Sequence, residues 1–316
     1  MTYAQFGTVQ ATDYNNFVGS NPSTTANRLN TVWATGGGSA GYGQTSLSQV
    51  SAGGTVTATS WANLINDIAL AALHQGSTIT AVSAPAAGGK ITYLSAISNN
   101  LTTIYNNRLN ATAQGATSTN TQTYSSTWTN TLTCQHTVTF TSGDTARYFF
   151  NAGGQITISC SYPTGSGFNA TLSDLASNIG TVVLSAPISG TATIASTSYT
   201  GITQLGGSGN TPTISTNNGY YALNSSNAQV FLQTGTSGFV YTSYGRIRVI
   251  VKSNGTQGSN GDAGSVITIY TVWDDIPTAT TINSGAATTC SVIVPSTSNI
   301  TNSWGVVGLA GTVSAT

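Results

Sequence analysis

The sequence contains no glutamate. Only 4% of its 316 residues are charged, seven aspartates against seven lysines and arginines, so the formal net charge is zero. Such a chain lacks the basic footprint that phosphate backbones and anionic headgroups attract, so neither nucleic acid nor a membrane surface is an expected partner. A glycan hydrolase is disfavoured as well, because no facing acid pair is apparent. Asp274 and Asp275 are sequence neighbours, and successive side chains on a strand diverge. They read as a solvated turn, with a loop cap or a calcium ligand as the alternative.

Cysteine is scarce. Cys134, Cys160 and Cys290 form no CxxC pair and leave an odd thiol, which suggests buried free thiols. A bridge between the strand-like runs holding Cys134 and Cys160 is not readable from sequence. The two histidines, His74 and His136, belong to no cluster with metal-ligand spacing. There is no GxSxG elbow, and no Lys-Ser/Thr follows the glycine-rich "GGGSAGYG" (36–43), which reads as a connector. No cofactor and no metal are expected. No apolar run approaches membrane-spanning length, and the first residues show neither a basic nor an apolar signal region, so no secretory signal is expected.

What is abundant is Ser, Thr, Asn and Gly, which keep a surface wet through hydroxyls and amides and suit β-structure with many turns. Fourteen tyrosines and five tryptophans argue against disorder and are candidates for sugar stacking, subunit packing or both. The stretches "NGYYALN" and "GFVYTSYG" are the ones to watch for ligand contact. With no net charge to keep copies apart, an assembly is expected.

An internal repeat occupies the first third. "GTVQATDYNNFV" (7–18) aligns without gaps to "GTVTATSWANLI" (54–65), and a weaker echo begins at Gly89. Each copy reads as an extended segment, a polar cap and a helix, with Thr12 or Asp13, Thr59 or Ser60, and Ser95 as caps. Trp61, Leu64, Ile65 and Ile68 form the clearest apolar stripe and are the candidate oligomerisation face. Ile97, Leu101, Ile104, Tyr105 and Leu109 repeat the pattern. His74 ends the second helix, where a hydrogen-bonding residue suits exposed carbonyls.

The polar passage 111–127 marks the expected boundary between a helical repeat region, residues 1–115, and an antiparallel β-sandwich, residues 116–316. Beyond it the hydrophobic period becomes alternating. Strands are expected over 128–140, 155–162, 180–186, 190–196, 220–224, 228–233, 244–253, 265–274 and 288–295. One short helix, 168–180, interrupts them and stops at Gly180. The fold class is therefore mainly β, a sandwich preceded by a small helical region.

One motif concentrates side chains otherwise rare in the chain: "DTARYFFNAGGQI", 144–156. It reads as a helical crossover between strands, with Asp144 as N-cap, Phe149 or Phe150 plugging the core, and Gly153 in the C-terminal stop. Arg147 is expected to bond carbonyls at a strand end or to pair with an aspartate, and Tyr148 completes the motif. Nothing catalytic stands beside it.

Taken together, the repeat, "GSAGYGQTS", "HQG", "ARYFFNAGG", "YGRIRVIVKSN" and "YTVWDD" resemble a family of structural proteins of tailed bacteriophages, notably marine cyanophages and their relatives. The resemblance spans nearly the whole chain, and "ARYFFNAGG" is its most specific motif. It implies a virion component, a tail, neck or fibre appendage assembled in the host cytoplasm, with no catalytic residues. Expected partners are copies of itself, with a trimer favoured, other virion proteins, and a host surface glycan or receptor. A carbohydrate- or receptor-binding fibre module is the alternative from another class, followed by a cellular surface-layer or adhesin protein.

Overall fold

The computed structural model describes residues 11–19, 28–51, 53–187, 189–208, 211–235, 245–258, 262–275 and 281–316. Four helices come first: α1 (Ala11–Val18), α2 (Leu29–Val32), α3 (Ala58–Gln75) and α4 (Leu94–Asn106). Then follow β1 (Gln114–Thr123), β2 (Thr131–Thr139), α5 (Gly143–Asn151), β3 (Gln155–Ser161), α6 (Phe168–Asn178) and β4 (Thr181–Leu184). A small ribbon, β5 (Ala192–Ile194) with β6 (Thr197–Tyr199), precedes β7 (Ile202–Leu205) and β8 (Thr213–Ile214). The chain closes with β9 (Ala228–Thr234), β10 (Gly245–Ser253), β11 (Val266–Asp275), β12 (Ala287–Pro295) and β13 (Gly308–Ala315).

The protein is mainly β, as its alternating pattern requires. One sheet has the order β1-β12-β3-β4-β7 and the other β13-β2-β11-β10-β9-β8, with every pairing antiparallel. Alternation puts one side of each strand inward. Leu132, Val138, Ile247, Val249, Ile267, Ile269 and Trp273 of the six-stranded sheet are buried, as are Ile156, Ile158, Val182, Leu184 and Val292 of the five-stranded one. β1 and β13 approach each other at one side of the sandwich, where a Cβ on Gly311 would meet Asn120 Oδ1 at 2.5 Å.

The repeat copies face one another. Tyr14 of α1 meets Trp61 of α3 edge-on at 5.4 Å between ring centroids, and Phe17 meets the same tryptophan at 6.3 Å. Aligned positions of the two copies thus fill one core. Where a charged protein would use ion pairs, these helices use amides. Asn15 donates to Val50 O and accepts from Val50 N, both at 2.8 Å. Asn30 does the same for Leu47, and Asn100 for Thr80. A carboxamide carries the donor and acceptor of a peptide group, so each asparagine staples an extended segment to its helix.

Several expectations about termini are corrected. α1 already includes Thr12 and Asp13, and α3 is capped by Thr57, whose side chain accepts from Ser60 N, with Thr59 and Ser60 inside the helix. Tyr93 precedes α4 and no side chain caps it, so Ser95 has no such role. Residues 220–224 hold a 3-10 turn, Tyr220–Ala222, in place of a strand. The polar passage 111–127 contains β1, so a boundary at residue 115 falls inside a strand. One large cluster of buried apolar side chains runs from Tyr14 to Trp304, and a small second one joins Ala111 to Val183, Ala192, Ile194 and Tyr199. Within β1 polar Thr, Ser, Asn and Gln alternate with no large apolar side chain, and the strand forms because β12 offers it an edge.

Candidate functional site

α5 joins β2 of one sheet to β3 of the other and closes that end of the sandwich. Its N-cap is Ser142, which accepts from Thr145 N while Thr145 Oγ1 accepts from Ser142 N, a reciprocal capping box. Asp144 therefore sits in the first turn and is not the cap. Phe149 and Phe150 are both buried: Phe149 lies 5.2 Å from the Phe140 ring, and Phe150 stacks on Tyr220 at 4.2 Å. Gly153 follows the helix at φ 91° and abuts Ala111.

Arg147 is the centre of this end. Its side chain is fully buried. Nη1 donates to Thr35 O at 2.7 Å and to Ala40 O at 2.6 Å, Nη2 donates to Asp144 Oδ1 at 3.0 Å, and Nε lies 3.3 Å from Asp262 Oδ2. Only a planar fork of donors can serve two carbonyls and two carboxylates at once. The carbonyls come from the glycine-rich loop and not from a strand end. Asp262 comes from the β10–β11 hairpin loop, well over a hundred residues away in sequence, which no local pattern signals.

The same loop is held from other sides. Arg108 donates from Nε to Ser39 O at 2.7 Å, Asn151 donates to Gly41 O at 3.1 Å, and Ser303 Oγ donates to Tyr42 O. Gln44 donates to Thr301 O and accepts from Thr301 N, each at 2.9 Å. Gly43 has φ 67° and lies flat against the Tyr148 ring, where a Cβ has no room. Residues 35–44 are thus a joint between the helices and the sandwich, and the "ARYFFNAGG" stretch is the half of that joint on the β side.

His74 belongs to the joint too. It is buried, its Nε2 lies 3.1 Å from Ala152 O, and its ring meets Tyr42 edge-on at 5.2 Å. Because a carbonyl only accepts, Nε2 carries the proton. Burial lowers the imidazole pKa to about 4, so the ring is neutral at physiological pH. His136 is buried in β2 and likewise shifted down by burial. Burial pushes the Cys160 and Cys290 thiols up to about 12, and raises Cys134, so none is a thiolate at neutral pH. All three are free. Among the described residues no group of three His, Cys, Asp or Glu could hold a metal.

The candidate oligomerisation stripe is used inside the chain: Trp61, Leu64 and Ile68 are buried in the core, and Ile65 is half-buried. Ile65 and Ile68 also line an apolar groove of about 340 Å³ between α3, residues 77–82 and α4, beside the exposed Leu73. All five tryptophans are buried, and among the described residues no aromatic side chain is more than partly exposed. Tyr220 of "NGYYALN" is buried against α5, while "GFVYTSYG" lies outside the described residues except Gly245.

Asp274 and Asp275 are buried at the end of β11, not in a turn. Asp274 Oδ2 accepts from the Nε atoms of Arg246 and Arg248, both at 2.7 Å, on the outer side of the six-stranded sheet. Lys252 lies on the same side, 5.7 Å from the Tyr270 ring centre. Among the described residues no helix is long and apolar enough to cross a membrane. No protein-family model, curated protein or solved structure matches the chain.

Proposed function

We propose that this chain is a non-enzymatic structural protein of a tailed-phage virion, a tail, neck or fibre appendage that works by assembling with copies of itself and with other virion proteins. The observation that supports it is where the reactive side chains go. The buried Arg147 is committed to two carbonyls and two aspartates, His74 is neutral and bonded, and the thiols are protonated. The surface is dominated by hydroxyls and amides with few charges, a composition suited to repeated contacts between neutral subunits. The choice of particle type rests on the "ARYFFNAGG" resemblance. Antibody against the chain, applied to purified virions of a phage encoding it, should decorate one station of the particle in electron micrographs. Particles that carry none of the protein would reject the proposal.

A receptor- or glycan-binding role is the second reading, favoured by one feature. Arg246, Arg248, Lys252 and Tyr270 share the outer side of the six-stranded sheet, with one carboxylate between the two arginines. Host-cell adsorption that survives charge removal at Arg246 and Lys252 would dismiss it.

A further inference from the structure

An edge strand presents a row of unpaired backbone donors and acceptors, and monomeric proteins protect such edges with lysine, proline, bulges or very short strands. The two sheets here treat their edges unequally. At one side the edges are β7 and β8, four and two residues long. At the other are β1 and β13, ten and eight residues long, with the sequences "QGATSTNTQT" and "GLAGTVSA". Neither holds a charge or a proline, and the one irregularity in their pairing is at the start of β1, between Gln114 and Thr117.

The lack of charge extends behind the edge. No lysine, arginine or aspartate occurs between Arg108 and Asp144 or after Asp275, so β1, β2, β12 and β13 are all without one. β1 is also poorly covered. Residues 115–119 are exposed at every position, so both faces of the strand as well as its outer edge meet solvent there. On β13 the outward positions are the small Gly308, Ala310, Thr312 and Ser314, and Val306, 87% exposed, stands two residues before the strand.

We propose that the β1/β13 side is a self-association edge, where a second copy of this chain adds its own edge strands to these sheets. Strand addition takes its affinity from main-chain hydrogen bonds, and it needs a flat edge without side chains that obstruct or repel. The occupant follows from charge. A charged partner strand would set its charges against an edge that has none to pair them. The chain's own edges are uncharged and similar in length, and its net charge of zero raises no barrier between copies. This inference stands on the sheet edges and not on the virion reading.

The test is light scattering on the full chain at micromolar concentration, beside the combined variant Thr117→Lys, Thr119→Lys and Thr312→Lys and the groove variant Leu73→Glu. The unmodified chain and Leu73→Glu should show a multiple of 32.1 kDa, and the edge variant should fall to 32.1 kDa with an unchanged circular dichroism spectrum. Hydrogen exchange on the unmodified chain guards against an edge variant that fails to fold: those amides of residues 115–119 that point away from β12 should be protected in the assembly and exchange on dilution. A monomeric unmodified chain, unprotected outward amides of 115–119 in the assembly, or dissociation by Leu73→Glu in place of the edge variant each overturns the proposal.

Discussion

Replacing Arg147 by methionine keeps most of the side chain's length and removes its charge. The loss acts on four partners. The carbonyls of Thr35 and Ala40 lose their donor inside the protein, and Asp262, whose side chain is 1% exposed, loses the cation facing it. Asp144 is 28% exposed, so its lost partner costs less. Removing one member of a buried ion pair costs about 3–5 kcal/mol, because the remaining charge stays in a poor solvent. The orphaned carbonyls lie within the same network, so their cost of about 1–3 kcal/mol each does not simply add. A loss of about 4 kcal/mol is therefore expected, measured from urea unfolding of the full chain by tryptophan fluorescence. Against a typical total of about 5–15 kcal/mol, that is a large fraction. Two companion variants separate the charge from the hydrogen bonds. Arg147→Lys should fall in between, since one ammonium cannot reach all four acceptors. Arg147→Met with Asp262→Leu should be more stable than Arg147→Met alone, because it also removes the stranded charge. A single-variant loss below about 1 kcal/mol, or a double variant worse than the single, would refute the account of the joint.

Gly43→Ala should destabilise clearly more than Gly38→Ala: both positions have positive φ, but a Cβ at Gly43 meets the Tyr148 ring whereas at Gly38 nothing lies within 4 Å. Equal melting temperatures for the two would contradict this. His74 has a folded pKa near 4, below its unfolded value of 6.5, so its contribution is fully present above pH 6.5 and is lost as pH falls from there toward 4. His74→Gln should accordingly flatten the fall in thermal stability over that window, and an identical pH profile would show that the ring is not neutral. Trp61→Ser should unfold the helical region, at a cost of roughly 3–5 kcal/mol for a buried aromatic, while Ile65→Ser should be mild. Comparable losses by circular dichroism would mean that Ile65 is covered as fully as Trp61.

Periodicity carried most of the fold. The alternation in "QITISCS" and "GRIRVIVKS" places β3 and β10, and the i, i+3, i+4 stripe places α3, because those segments bury one face and the burial is written into their residue types. β1 was not legible for the converse reason. "QGATSTNTQT" has no apolar residue larger than Ala116, and its partner β12 lies more than 150 residues further along the chain. β13 escaped the same way, with small residues on its outer face. The crossover helix was legible because a polar residue at its start, "TARYFFN" and Gly153 are local signals. Asp144 was misread as its cap because both Ser and Asp accept from first-turn amides, and only the capping box with Thr145 distinguishes them.

The division into a helical region and a sandwich describes the order of elements but not the way the chain is held together. Tyr42, Gln75 and Arg108 belong to the first 115 residues, and Arg147, Asn151 and Thr301 to the rest, yet all of them converge on residues 35–44. Tyr42 OH donates to Arg108 O and accepts from Gln75 Nε2, both at 2.8 Å, while its main-chain neighbours are bonded from the β side. A loop of glycines can do this because its carbonyls turn in several directions without side chains to bury. Two of the chain's seven cations, Arg108 and Arg147, are spent on those carbonyls. In a chain this poor in charge, placing them at one joint couples the helices to the sandwich more tightly than the polar passage between them suggests. Among the described residues, neither the uncharged β1/β13 edges nor the groove beside α3 contributes to that joint, so both can meet other molecules without loosening it.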